Sequence, residues 1–307
     1  MKIIFFGSPY FSIPTLQLLH ESKHQVLAIV TNEDRRSGRG LALNSTPVKF
    51  FAQKHNYDYF TPHNMNANEF IDSLKTYKAD VYIVVAYRKL PENVFNIPKF
   101  GAINLHASLL PELRGAAPIQ HAFLNNLKLT GVTTFQINKN IDSGLILLQK
   151  KQEITKQDNY STLYEKLSNI GAHLTLETIH RLSDSKIIPI KQDKSKISYA
   201  PKISNIDRKI NWNDTSLNII NKIKAFSHKP GAYTNINGKR LLIFNAVNYG
   251  EQFSNNPGNI SYINNKMIIS TVQGSIELLN VQIEGKKKMK TSDFIKGIQV
   301  ENFKNFQ

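Results

Sequence analysis

Short apolar runs mark the first part of the chain: KIIFF (2–6), VLAIVT (26–31) and VYIVVA (81–86). Each is too short for a core helix, and none alternates as a half-solvated strand would. They read as strands buried on both faces, as in a parallel sheet. Helix-like segments separate them, so the predicted class is α/β: a Rossmann-like, mostly parallel sheet with helices on both faces. The clearest helix is Tyr160 to Ser183, where Leu163, Leu167, Ile170 and Leu174 follow helical spacing and Thr162 with Glu165 suits a capping box.

From Ser183 to Asp207 the pattern dissolves into Lys, Ser, Asp and Pro, the composition of a linker. Strand-like alternation follows. INGKRLLIF (236–244) carries an Asn-Gly hairpin signal, and NKMIIS and SIELLNVQI come after it. A small C-terminal β-barrel of OB type is expected. The predicted organisation is a first domain over 1–183, a linker over 184–207 and a second domain over 208–307.

The length of 307 residues accommodates two cores. The chain has no cysteine, which excludes disulfides and thiolate metal sites and fits a reducing compartment. MKIIFFGSP enters the first strand directly, without a signal-type or transit-type leader, and no apolar run approaches the length of a membrane span. A soluble, cytoplasmic protein with no membrane partner is expected.

The formal net charge of +16 points to a polyanionic partner. Abundant Lys, Asn and Ile would raise the charge through genome composition alone, but that effect should spread evenly. Residues 208–307 hold 14 basic and 6 acidic side chains, whereas residues 1–207 hold 25 and 17. The excess is denser at the C-terminal end, as a nucleic-acid surface there would require.

Several motifs lead nowhere. HESKH (20–24) matches the zinc-protease pattern, which needs both histidines on one continuous helix; His24 runs into a strand instead. After the first strand only Gly7 stands where a dinucleotide site wants three glycines. No Walker loop or nucleophile elbow occurs.

GAINLHASLLPELRGAAPIQ (101–120) is different. In a strand, Asn104 and His106 share a face, at the end where open α/β sheets collect ligands. SLLP then leaves abruptly, and IDSG places Asp142 in a turn between two later strands. By itself the N-x-H pair is most often a satisfied polar pair. With Asp142 it suits acyl transfer without a covalent enzyme intermediate: Asn104 and His106 donate to an oxyanion, and Asp142 orients the imidazole and helps collect a proton.

N-x-H-x-SLLP-x-x-RG-x-x-P, followed by TGVT and D-x-G, resembles the folate-dependent formyltransferases. The resemblance implies that Asn104, His106 and Asp142 are catalytic and that Ser108, Leu109, Leu110 and Pro111 contact folate. IIFFGSPYFSIPTLQLL, TNEDRRSGRGLALNSTPVK, YAPKISNIDRKINW, IKAFSHKPGAYT and LNVQIEGKKKMKTSDFIKG resemble the branch of that family acting on methionyl-tRNA. It implies formyl transfer from 10-formyltetrahydrofolate, a co-substrate, to the methionyl amine of initiator methionyl-tRNA in translation initiation. It implies a catalytic first domain and a tRNA-binding second one; no metal and a monomer are expected. Arg39 in DRRSGRG and the turn lysines Lys286, Lys287, Lys288 and Lys290 are the expected tRNA contacts. The chain departs from the family at AYRKLP (86–91), one residue short in a loop that borders folate. A formyltransferase for sugar-nucleotide or glycinamide amines, and an inactive scaffold that only binds RNA, are the competing readings.

Overall fold

The computed structural model describes residues 1–37, 42–250, 254–297 and 305–306. Its chain divides into two compact units. One comprises residues 1–118, 129–153 and 164–200; the other comprises 119–128, 154–163 and 201–307.

In chain order the first unit begins with β1 (Lys2–Gly7), α1 (Ile13–Glu21), β2 (Gln25–Val30), β3 (Arg35–Ser37), β4 (Ala42–Asn44), α2 (Pro47–Lys54), β5 (Tyr59–Phe60), α3 (Asn68–Thr76), β6 (Val81–Val85), α4 (Glu92–Phe95) and β7 (Ala102–His106). After α5 (Pro118–Leu124), nearly all of which belongs to the second unit, come β8 (Leu129–Gln136), β9 (Ile146–Glu153) and α6 (Tyr160–Ser183), which is in the first unit from residue 164 onward. The sheet runs β5-β2-β1-β6-β7-β8-β9. Its first five strands are parallel; β8 is antiparallel to both β7 and β9. The chain winds outward from β1 to β5, then returns to add β6 on the other side of β1. The crevice at that reversal is where such sheets take ligands.

Both faces are covered, as the unbroken apolar runs require. Ile3, Ile4, Phe5 and Phe6 are all fully buried. Ile4, Phe6, Tyr82 and Val84 pack with Phe70, Ile71 and Leu74 of α3 and Val94 and Phe95 of α4. The predicted helix over 160–183 is α6, but its cap differs from the expected one. Asn159 Oδ1 accepts the amides of Ser161 and Thr162 at 2.9 and 3.3 Å, and Thr162 Oγ1 returns a bond to the Asn159 amide at 3.0 Å. Thr162 is therefore the reciprocating member of the box, three residues into the cap. Between β2 and α2 the short strands β3 and β4 pair antiparallel.

The second unit holds α7 (Ser216–Ala225), β10 (Ala232–Ile236), β11 (Lys239–Asn248), β12 (Ile260–Ile263), β13 (Lys266–Ser270), β14 (Ser275–Ile283), β15 (Met289–Lys290) and α8 (Thr291–Lys296). The expected barrel takes the form of an antiparallel sheet, β10-β11-β14-β13-β12, with β15 paired to β14. Asn237 and Gly238, at φ 48° and 74°, turn β10 into β11 as the Asn-Gly signal predicts. Ile243, Ile268, Ile276 and Val281 from the sheet are fully buried, and Ile223 and Phe294 of the helices are nearly so. Trp212 stacks on Phe306 and donates to Thr234 at 3.0 Å. Among the described residues no helix is long and apolar enough to cross a membrane.

Candidate active site

Strand β7 presents Asn104 and His106 on the face that Ala102 shares with the α3–α4 cluster. Leu105 points the opposite way, toward α6, where a Cβ on Gly171 would meet its side chain at 2.6 Å. The sheet thus buries one face under α6 and leaves the end of the other for chemistry.

His106 is only 6% exposed. Its Nε2 lies 2.9 Å from the carbonyl of Leu113. A carbonyl can only accept, so Nε2 carries a proton and Nδ1 is a bare lone pair in the neutral ring. Nδ1 faces Oδ2 of Asp142 at 3.7 Å, outside hydrogen-bond reach. That oxygen accepts the Gly115 amide at 2.8 Å. The imidazole is therefore oriented by Leu113, and Asp142 stands beside it as a charge. The Asn104 carboxamide makes no hydrogen bond with the described residues. The structure brings all three residues of the expected trio to one place.

The Asp142 turn is itself held. Asp142 has φ 50°, and a Cβ on Gly144 would collide with the Gln136 carbonyl, which accounts for the glycine of D-x-G. Gln192 Nε2 donates to the carbonyls of Asp142 and Gly144 at 3.0 and 2.8 Å. Its Oε1 accepts Nε and Nη2 of Arg114 at 3.0 and 2.6 Å. Gln192 lies in the stretch expected as a linker. So do Ser198, whose Oγ accepts the Leu113 amide at 2.9 Å, and Ala200, whose amide donates to Arg114 O at 2.7 Å.

The SLLP loop leans on β8 and β9. Thr133 Oγ1 donates to Ser108 O at 2.7 Å and accepts the Leu110 amide at 3.1 Å. Gln149 Nε2 donates to Leu110 O at 2.8 Å. Ser108 donates to Glu112 O at 2.6 Å. Ser108, Leu110 and Pro111 are buried and Leu109 is half-buried, so the loop can offer a ligand mainly its backbone and Leu109. A Cβ on Gly131, in TGVT, would meet Leu109 at 2.6 Å; the glycine is what lets the loop lie against β8.

Around the crevice, Ser8 Oγ and Thr31 Oγ1 lie 3.2 Å apart, joining the ends of β1 and β2. Burial raises the Tyr87 phenol above its ordinary pKa. Arg88, where the chain departs from the family pattern, lies over the Tyr87 ring and donates to the carbonyls of Pro62 and His63.

Of the expected nucleic-acid residues, Arg39 lies outside the described residues. Lys286, Lys287, Lys288 and Lys290 are exposed around the β14–β15 turn, and none has an ion-pair partner among the described residues. Lys288 Nζ sits 4.6 Å from the Phe244 ring centroid. HESKH is divided as expected: α1 ends at Glu21, and His24 Nδ1 contacts the N-terminal amine at 3.1 Å.

Residues 1–179 match the family model described as formyl transferase, and residues 202–299 match its C-terminal domain. The chain belongs to the formyl transferase family. A methionyl-tRNA formyltransferase of Thermodesulfovibrio yellowstonii is 41% identical to this formyl transferase over 97% of the chain and 96% of the relative. One from Caldanaerobacter subterraneus subsp. tengcongensis is 38% identical over 97% of each. Among solved structures, the sugar 3N-formyl transferase WlaRD, with dTDP and 5-N-formyl-THF, aligns with a TM-score of 0.69. It is 22% identical, covering 94% of this chain and 99% of that one, so it shares the fold.

Sequence reasoning about this formyl transferase missed the supporting residues. Thr133 was within reach, since it closes the TGVT motif. Gln192 carried no signal, because its surroundings read as a linker.

Proposed function

We propose that this formyl transferase moves the formyl group of 10-formyltetrahydrofolate to the α-amine of methionine on initiator methionyl-tRNA. The observation that carries the chemistry is His106 Nδ1 facing Asp142 across 3.7 Å, beside the Asn104 carboxamide, which makes no hydrogen bond among the described residues. The neutral amine attacks the formyl carbon. A C–N bond forms, and the carbonyl electrons move to oxygen, where Asn104 donates a hydrogen bond. Nδ1 takes a proton from the nitrogen, which has become cationic. With Nε2–H already given to Leu113, the ring is then imidazolium, and Asp142 stabilises its charge. Nδ1–H now donates to the oxyanion. Collapse expels N10 of the folate, which takes that proton as it leaves.

The choice of acceptor rests on relatives of that name matching both units at about two-fifths identity. A sugar acceptor has only the shared fold in its favour. Residues 1–183 are the proposed catalytic part and 208–307 the proposed tRNA platform, with Lys286, Lys287, Lys288 and Lys290 on phosphates. Arg39 is the proposed contact to the acceptor stem. The test is formyl transfer to charged initiator tRNA with the folate donor. Transfer to an amino sugar nucleotide and not to the tRNA would replace this reading.

A further inference from the structure

The second unit contains a cavity of about 420 Å³ whose polar lining includes Asn245, Asn264, Asn265, Asn280, Lys290 and Thr291. That volume lies within the usual range of small-molecule sites, about 300–1,000 Å³.

The strand pairing builds one wall. Asn245 of β11 is paired with Asn280 of β14, and Asn280 with Lys290 of β15. Asn245 lies at a bulge of β11, between two register shifts, and all three side chains line the same cavity, so two carboxamides and an ammonium form a row across three strands. Asn264 and Asn265, at φ 49° and 60°, bring two more carboxamides from the β12–β13 turn. None of the four carboxamides is hydrogen-bonded by its side chain to a described residue. Thr291 is 3% exposed, and its hydroxyl has no partner either.

The charges are as specific as the amides. Lys266, also on the wall, is matched by Glu277 at 3.0 Å. Lys290 has no counter-charge among the described residues. The cavity therefore offers one unmatched positive charge beside several groups that both donate and accept. One phosphate fits the first, and ribose hydroxyls and a base edge fit the second. A bare run of phosphates would leave the amides unused.

We propose that this cavity receives a single nucleotide of the tRNA, with its phosphate on Lys290 and its ribose or base edge on Asn245, Asn280 and the Asn264–Asn265 turn. The assignment rests on the proposed tRNA substrate and adds to it a hydrogen-bonding subsite. Charge contacts release counterions on binding, whereas amide contacts do not. The two kinds of residue therefore have different salt signatures.

The experiment measures the affinity of initiator methionyl-tRNA over a salt series for wild type, Asn245→Ala, Asn280→Ala and Lys290→Ala, with thermal melts to confirm folding. Asn245 is exposed, so its variant tests the site even if Asn280→Ala folds poorly. The asparagine variants are expected to bind about five- to tenfold more weakly at every salt concentration, with unchanged slope. Lys290→Ala is expected to flatten the slope by the share of about one phosphate. Mapping of 2′-hydroxyl reactivity should show a nucleotide protected by wild type and released by Asn280→Ala. Wild-type affinity and footprint in the folded asparagine variants overturn the subsite while leaving the formyl-transfer reading intact. Absence of any transfer to tRNA by wild type would instead sink that reading. Titration with AMP, GMP, CMP and UMP covers the other source of a nucleotide. Saturable binding abolished in Asn280→Ala, with tRNA affinity unmoved, overturns the assignment to tRNA.

Discussion

Oδ2 of Asp142 stands 3.7 Å from Nδ1 of His106 while accepting the Gly115 amide at 2.8 Å. The carboxylate is thus fixed in place without being hydrogen-bonded to the ring. It leaves Nδ1 open to substrate.

Loss of either polar residue of β7 should remove stabilisation made in the transition state. Asn104→Ala and His106→Ala are each expected to lower kcat by about 10²–10³-fold, with a smaller effect on KM for folate. Steady-state kinetics on the folded variants check this. Near-normal kcat in Asn104→Ala removes the residue from the mechanism.

Because Asp142 acts through the charge of His106, the two should behave as one unit. The double variant Asp142→Asn/His106→Ala is expected to be scarcely slower than His106→Ala alone. If the two losses multiply, Asp142 works independently of the ring.

Gln192 positions Asp142 by binding two carbonyls of its turn. Gln192→Leu leaves both carbonyls and the Arg114 guanidinium without this partner, costing about 1–3 kcal/mol of stability. If it is a positioning residue, kcat should fall about tenfold below the melting temperature with KM for tRNA unchanged. A variant that melts lower but turns over normally makes Gln192 only structural.

The four turn lysines have no ion-pair partners among the described residues, so their charge is available to phosphates. Replacing Lys286, Lys287, Lys288 and Lys290 with alanine should weaken tRNA binding. It should also reduce the log–log salt slope by about 0.7–0.9 for each phosphate no longer neutralised. Folate affinity, measured in parallel, should not move. An unchanged slope would make these lysines ordinary solvated surface.

His24 gives the fold a dependence on acid. Burial first, then the adjacent N-terminal ammonium, holds its pKa at about 4, below its ordinary value of 6.5. Between those values the unfolded chain binds a proton that the folded chain refuses. This contribution to stability is complete above pH 6.5 and falls away as the pH drops toward 4. It amounts to at most about 3 kcal/mol, less whatever water near the ring screens. Urea unfolding from pH 4 to 7 should show that slope in wild type and a flatter one in His24→Gln. Equal slopes would assign the acid sensitivity to other groups.

Relations set by neighbours in the chain were legible from the residues alone. Unbroken apolar runs marked strands with two buried faces, Asn-Gly marked the β10–β11 turn, and the spacing of two put Asn104 and His106 on one side. Backbone geometry fixes these relations locally. How the imidazole is held was settled only in three dimensions. Its partner is the Leu113 carbonyl, a group every residue possesses and no side-chain pattern advertises. The same holds for Gln192, 50 residues from Asp142 and set in a stretch that reads as linker. Even the N-terminal cap of α6 went to Asn159, which directly precedes the helix, rather than to Thr162 inside its first turn. Asn245, Asn280 and Lys290 became neighbours through strand register, which depends on sheet pairing and bulges rather than on any spacing visible in the sequence.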